Sequence, residues 1–382
     1  MAIQSMQIFE EMKKGNAARV KQAKEDGRRV VGTYCTYAPE ELILAAGAIP
    51  IGLCGTKEDP IPAAEEILPR NLCPLIKSSY GFAATDTCPF FMAADLIVGE
   101  TTCDGKKKMF ELMAELKPLH LMHLPQSPND PASLALWTGE VRRFKEALEE
   151  AFQVKITDAK IREAIRIKNE ENRARRRLHE LNRRKPALLS GVQVLTASWL
   201  SGFVTDRRAV TAQLHQLCDE VEELAAKGHH FGRPEAPRLL VTGCPQGLGS
   251  EKVIRLAEEN GAVVVAQEFC TGYKTLPLEA DPEAADPLAS LAQKYLRIPC
   301  SCMTWNTARM ELVTRMIAEF EVDGVIDLTW QACHTYNIEA HRLAETVREK
   351  TGRPYLHLET DYSPSDTQQL NVRIAAFLEM LG

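Results

Sequence analysis

The chain has 382 residues, 45% apolar and 26% charged, with a formal net charge of −6. That length exceeds what one hydrophobic core usually serves, so two or more domains are expected, and the composition is that of an ordinary globular protein. A mildly negative chain gives no footing for a nucleic-acid partner, and no apolar run is long enough to span a membrane.

The first 27 residues, MAIQSMQIFEEMKKGNAARVKQAKEDG, are charged and amphipathic, which predicts a surface helix and not a secretory signal. A cytoplasmic protein is expected, in which structural disulfides are disfavoured and gathered thiols serve metal or redox chemistry. A first α/β unit follows, with strands over Arg29–Tyr34, Ile49–Leu53, Asp95–Glu100 and Leu119–Leu124. Between the first two lies a helix in PEELILAAGA, with Pro39, Glu40 and Glu41 in its first turn and Gly47 at its stop. The stretch 126–235 differs in composition. Ile161, Ile165, Ile167, Leu178 and Leu181 stand at helical spacing among dense charge, so a helical insert is expected, with the run Arg173–Arg177 on a solvated face. The second unit repeats the first, with strands over Arg238–Thr242, Ala262–Gln267, Gly324–Thr329 and Tyr355–Glu359 and a helix in EKVIRLAEENG closed by Gly261. Alternating strands and helices predict parallel sheets covered on both faces. The expected division is an N-terminal helix plus first α/β domain over 1–125, the insert over 126–235 and a second α/β domain over 236–382.

Eleven cysteines punctuate this pattern. Cys35, Cys54, Cys73 and Cys103 in the first half are echoed by Cys244, Cys270, Cys300/Cys302 and Cys333 in the second. The separation of Cys73 and Cys103 is 30 positions, and that of Cys302 and Cys333 is 31. Most follow a strand, and open parallel sheets collect ligands outside the carboxyl ends of their strands. Several also precede a helix, whose first amides favour a thiolate. Zinc sites favour close C-x₂-C pairs, and none occurs here. Dispersed thiols converging from two units suit an iron–sulfur cluster better. Cysteine is also a common core residue, and Cys218, within the helical pattern QLHQLCDEVEEL, and Cys88, in DTCPFF, are read as structural.

Longer stretches carry a family resemblance: VVGTYCTYAPEELILAAGAIPIGLCG, LPRNLCPLIKSSYG, ADLIVGETTCDGKKKMFELM, REAIRIKNEENRARRRLHEL, DGVIDLTWQACHTYNIE and LETDYSPSDTQQLNVRIAAFLEML. Over nearly its whole length the chain resembles the 2-hydroxyacyl-CoA dehydratase and benzoyl-CoA reductase superfamily, most closely its double-cubane cluster proteins. The resemblance implies two flavodoxin-like parallel-sheet domains with a helical insert and a cluster at the interdomain cleft. In the dehydratases, three cysteines at the motif positions of Cys73, Cys103 and Cys333 hold one 4Fe–4S cluster. The double-cubane branch holds an 8Fe–9S centre through six cysteines, and the internal duplication assigns these to Cys35, Cys73, Cys103, Cys244, Cys302 and Cys333, with Cys54, Cys270 and Cys300 as alternates.

The resemblance further implies a homodimer fed by a separate ATP-hydrolysing iron–sulfur activator, with low-potential electrons passed to a small molecule such as acetylene, azide or hydrazine. The segment TGCPQGLGSEKV lacks the GK[ST] ending of a phosphate loop, so ATP is expected to act on the partner. His334 and Glu339 are the candidate proton-handling residues, although His334 could equally bond a cluster sulfide or open a helix. Lys106–Lys107–Lys108 would dock the electron donor, offset cluster charge, or simply start a solvated helix. Two other readings are a component of a 2-hydroxyacyl-CoA dehydratase with a single 4Fe–4S cluster and a noncatalytic electron carrier.

Overall fold

The computed structural model describes residues 3–53 and 55–381. All eight expected strands form: β1 (Val30–Thr33), β2 (Ile49–Gly52), β3 (Leu96–Glu100), β4 (Leu119–Met122), β5 (Arg238–Gly243), β6 (Val263–Glu268), β7 (Gly324–Trp330) and β8 (Tyr355–Thr360). They make two wholly parallel four-stranded sheets of identical order, β2-β1-β3-β4 and β6-β5-β7-β8, in an α/β arrangement of two flavodoxin-like units. The central strands β1, β3, β5 and β7 are buried along their whole length, as continuous apolar runs between helical layers must be. Among the described residues no helix is long and apolar enough to cross a membrane.

The middle of the chain is helical, over Pro131–Phe152, Asp158–Glu180, Gly191–Leu200 and Arg207–Ala226. Asp130, Thr157, Ser190 and Asp206 each start one of these helices by accepting a backbone N–H with the side chain. Trp137, Val141, Phe144 and Leu148 lay the first helix against Met122 and its neighbours on the first sheet. Leu214, Leu217, Cys218 and Val221 of the last pack on Leu178 and on Phe9 and Met12 of the N-terminal helix, Ser5–Glu25. Cys218 is thus a core side chain, in keeping with its reading from sequence.

The two units do not stand apart. One apolar core contains Val30, Ile49 and Ile97 of the first sheet together with Leu239, Val241, Ile326 and Leu328 of the second. The helix Pro287–Leu296, which follows β6, leaves its own sheet and packs with Val31, Leu42 and Trp137 of the first unit. Polar contacts fasten it there: Lys294 Nζ meets Glu41 Oε1 at 2.6 Å, Tyr295 Oη donates to Glu41 Oε2 at 2.6 Å, and Tyr37 Oη donates to the Ile298 carbonyl at 2.8 Å. Cys300 and Cys302 follow directly and are carried to the junction.

Part of the arginine-rich face is drawn inward. Arg173 and Arg177 pair with Glu279, Asp219 and Glu222 at the surface, whereas Arg175 turns toward Glu171 beside Lys168, Arg207 and Glu40. Glu40 is largely buried, which opposes its charge, yet Lys168 at 2.7 Å and Arg207 at 3.4 Å hold its pKa down, from 4.5 to about 2. A carboxylate with a depressed folded pKa stabilises fully above its unfolded value and loses that contribution as pH falls toward the folded one. Glu40→Gln should therefore unfold at lower denaturant than the parent at neutral pH, and the gap should close between about pH 4.5 and about pH 2. Unfolding midpoints across that range check it; a gap unchanged at the acid end would refute the role.

Candidate functional site

In each sheet the chain reverses its direction of progress between the two central strands, β1 and β3 or β5 and β7. The crevice at such a switch point opens beyond the carboxyl ends of the strands. Cys35 and Cys103 follow β1 and β3, and Cys244 and Cys333 follow β5 and β7. Cys270 follows β6, while Cys73 and the Cys300/Cys302 pair lie on connecting segments. Cys54 lies outside the described residues. Gly243 sets the exit of β5: its φ is +109°, and a Cβ there would stand 2.1 Å from the Leu328 carbonyl oxygen. Only glycine allows so sharp a turn into Cys244.

The thiols gather in two adjoining groups. In the first, Cys333 interacts by hydrogen bonding with both Cys73 and Cys244, and Cys103 lies within electrostatic reach. Cys73, Cys103 and Cys333 each occupy the residue before a helix, at the starts of Pro74–Ala84, Asp104–Met113 and His334–Thr351. They close no standard cap bond there, but the amides of Leu75 and Ile76, Lys106, and Tyr336 respectively approach the sulfurs and favour the thiolates. Cys244 accepts the Trp330 amide at 3.3 Å. In the second group, Cys300 interacts with Cys302, and Cys35 and Cys270 feel its charge. Cys103 and Cys300 influence each other across the gap between the groups.

Each group has one acidic thiol. Hydrogen bonds from Cys244 and Cys73 hold the Cys333 pKa well below the usual thiol range. A hydrogen bond from Cys302 and the nearby Lys274 ammonium bring that of Cys300 down to about 6 against the opposing effect of burial. The neighbours that donate shift in the opposite direction: Cys73, Cys244 and Cys302 are pushed well up, as expected when several thiols share one charge. Burial alone dominates at Cys35, which rises to about 12.

Behind the second group stands a polar network whose centre, Arg309, Glu268, Lys274 and Asp327, is buried. Arg309 meets Glu268 at 3.2 Å and Asp327 at 3.9 Å and pairs with Glu339, and its Nη2 donates to Thr242 Oγ1 at 3.0 Å. Lys274 lies 3.2 Å from Glu268 and donates to Tyr336 Oη at 2.6 Å. Asn306 donates both to the Cys300 carbonyl at 3.0 Å and to Glu339 Oε1 at 2.7 Å, tying the thiol loop to this network. A cavity of about 80 Å³ is lined by Cys35 and Cys270 and also by Lys168, Asn172 and Arg175.

Among the described residues no three Cys, His, Asp or Glu side chains close on one point as they would around a single ion. Soft thiol donors spread around a shared crevice, with helix amides and buried cations turned toward them, fit instead a polynuclear centre in which each cysteine meets its own metal atom. The six cysteines expected from sequence and two of the alternates, Cys270 and Cys300, lie around this crevice, sorted across the two halves of the chain. His334 is exposed and opens its helix, while Glu339 is engaged by Arg309 and Asn306. Cys88 also precedes a short helix, Pro89–Ala93, and packs on the core apart from both groups. Sequence reasoning missed Glu100, Glu268, Lys274, Arg309 and Tyr37. The available signal was an acidic residue ending an apolar strand just ahead of a cysteine, in VGETTC and VAQEFC.

The profile of the 2-hydroxyglutaryl-CoA dehydratase D-component family matches residues 35–381. YjiM of Escherichia coli K12, a protein named as a dehydratase subunit, is 46% identical, covering 98% of this chain and 97% of its own. The beta component of (R)-phenyllactyl-CoA dehydratase from Clostridium sporogenes is 25% identical, over 95% of this chain and 94% of its own. A component of the benzoyl-CoA reductase of Thauera aromatica is also 25% identical, over 99% of this chain and 94% of its own.

The polar network gives a direct test of what supports the crevice. Arg309→Met leaves Glu268 and Asp327 without their shared cation, and breaking such a buried set typically costs about 3–5 kcal/mol. Denaturant unfolding of the metal-free protein should register a loss of that order. A change within the range of a surface substitution would show that Lys274 alone suffices.

Proposed function

Because the chain belongs to the 2-hydroxyglutaryl-CoA dehydratase D-component family, we propose that it is an iron–sulfur reductase component, supplied with low-potential electrons by a separate ATP-hydrolysing iron–sulfur activator. The observation that carries this reading is the gathering of eight thiols from both sheets into two adjoining groups at facing switch points. Two groups suit a double cubane better than one cluster does. In the proposed assignment Cys73, Cys103 and Cys333 hold one half. Cys35, Cys270 and Cys300 hold the other, with Cys270 and Cys300 in place of Cys244 and Cys302 from the sequence-based set. Metal ligation needs thiolates, and the Lys274 ammonium favours one at both Cys300 and Cys270, at Cys270 against the larger opposing effect of burial. Cys244 and Cys302 then serve as hydrogen-bond donors to ligand sulfurs.

When bound, the 8Fe–9S centre would supply electron storage at low potential and an iron site for a small substrate. The chain's own residues do the rest. The cavity of about 80 Å³ beside Cys35 and Cys270 is the proposed place of the small substrate. Asn172, Lys168 and Arg175 offer donors to it. Reduction of one substrate bond consumes two electrons, delivered singly by the activator, and two protons taken from solvent. Glu339 acts by positioning, through Asn306 and Arg309, and His334, exposed at the start of the helix that follows Cys333, is the proposed proton donor. The functional unit is proposed to be a cytoplasmic homodimer.

The names of the relatives favour one other reading, a dehydratase component with a single 4Fe–4S cluster. Iron and acid-labile sulfide per chain, measured on protein purified without oxygen, separate the two. About eight irons with slightly more sulfide supports the double cubane, about four supports the dehydratase, and zinc without iron sinks both. Cys→Ala variants then read the ligands. Loss of Cys73, Cys103, Cys333, Cys35, Cys270 or Cys300 should each lower the iron content by about half, whereas Cys244→Ala and Cys302→Ala should keep it. The reverse pattern would restore the set expected from sequence.

A further inference from the structure

The three consecutive lysines after Cys103 meet different fates. Lys107 pairs with Asp104 at 2.7 Å and Lys108 with Glu111, both at the surface. Lys106, in the first turn of the helix that Cys103 precedes, turns inward and is only 7% exposed. No hydrogen bond or close ion pair ties its ammonium to the described residues; its one directional contact is the face of Phe110, with Nζ 5.6 Å from the ring centroid. Its field falls on Cys35 and Cys270 of one thiol group, on Cys103 of the other, and on Glu100.

Such a group has no place in an ordinary core, because a buried charge without a partner is strongly unfavourable. Glu100 does not resolve the matter. Its carboxylate is fully enclosed with neither oxygen hydrogen-bonded to a side chain, and burial raises its pKa to about 7, so near neutral pH it offsets the ammonium only in part. Lys274, the other cation of the crevice, is unlike Lys106 in this respect, being already matched to Glu268. The missing negative charge is the one that appears when thiolates and an anionic centre occupy the crevice.

We propose that Lys106 is a fixed positive charge that spans both thiol groups and raises the reduction potential of the iron–sulfur centre, favouring its reduced state. The inference rests on the iron–sulfur reading above. Each electron added to the centre adds a negative charge, and a cation held nearby in a poorly screened interior lowers the energy of the reduced form more than that of the oxidised one. The chemistry needs only charge and reach, so arginine should substitute and methionine should not.

The test uses the full-length protein isolated without oxygen, as the parent, Lys106→Met and Lys106→Arg, with iron and sulfide counted before potentiometric titration followed by EPR. With iron retained, Lys106→Met should show a reduced-to-oxidised ratio at fixed potential smaller by at least about tenfold, equivalent to about 59 mV for a one-electron couple, with Lys106→Arg close to the parent. If Lys106→Met cannot hold iron and Lys106→Arg can, the charge is needed to bind the anionic centre at all, which also supports the role. Methionine and arginine variants that behave alike, whether unchanged, equally shifted or equally iron-free, would overturn it. A parent protein that binds no iron would instead remove the iron–sulfur reading, a failure distinct from that of Lys106.

Discussion

Two parallel sheets share one apolar core with their strand ends turned to a common crevice, and the placement of the thiols depends on that union. Val30 and Ile97 on one side and Val241, Ile326 and Leu328 on the other belong to the same continuous packing. The helix Pro287–Leu296 reinforces it by crossing to the first unit, where Glu41 receives both Lys294 and Tyr295 in a buried contact. Without that crossing, Cys300 and Cys302 would follow the second sheet away from Cys35. The packing is therefore the means by which cysteines far apart in sequence come to face one set of electrostatic partners.

Electrostatics in the crevice run against the usual economy of a protein interior. Lys106, Lys274 and Arg309 are all deeply buried, and three positive charges in one interior region would be a liability by themselves. Glu268, Asp327 and Glu339 answer for two of them. The helix starts at Cys73, Cys103 and Cys333 add further positive potential from backbone amides. The whole region is thus built around negative charge still to be supplied, and two thiols, Cys333 and Cys300, are already disposed to provide some of it.

Much of this organisation is legible in the residues. The eight strands appear as short apolar runs because buried parallel strands have no polar face to interrupt them, and each observed strand begins or ends within a residue or two of its expected position. The cysteines betray themselves by following those runs. Their grouping does not show, since halves of the chain predict three thiols from each, whereas the crevice sorts Cys73 and Cys103 with Cys244 and Cys333, and Cys35 with Cys270, Cys300 and Cys302. That sorting follows from the crossing of Pro287–Leu296, which nothing local in the sequence announces. Glu339 illustrates the same gap. Its nearness to Cys333 along the chain suggests proton transfer, but Arg309 and Asn306, from an earlier segment, turn it into a brace. The inward turn of Lys106 and the outward turn of Lys107 and Lys108 likewise depend on which side of their helix, the side that also carries Met109 and Phe110, is packed into the core.

The interleaving of the two units also dictates an order of maturation. The thiol group containing Cys35 gains its last member at Cys302, whereas the other waits for Cys333, 31 residues later. The sheet that carries Cys333 needs β8 beyond it, and that strand is laid down only at Tyr355–Thr360. During synthesis the first unit must therefore wait, its crevice half-walled, until β8 has left the ribosome. The crevice is therefore walled only once translation has passed β8, and until then the eight thiols of the two groups stand outside the enclosure that sets their electrostatics.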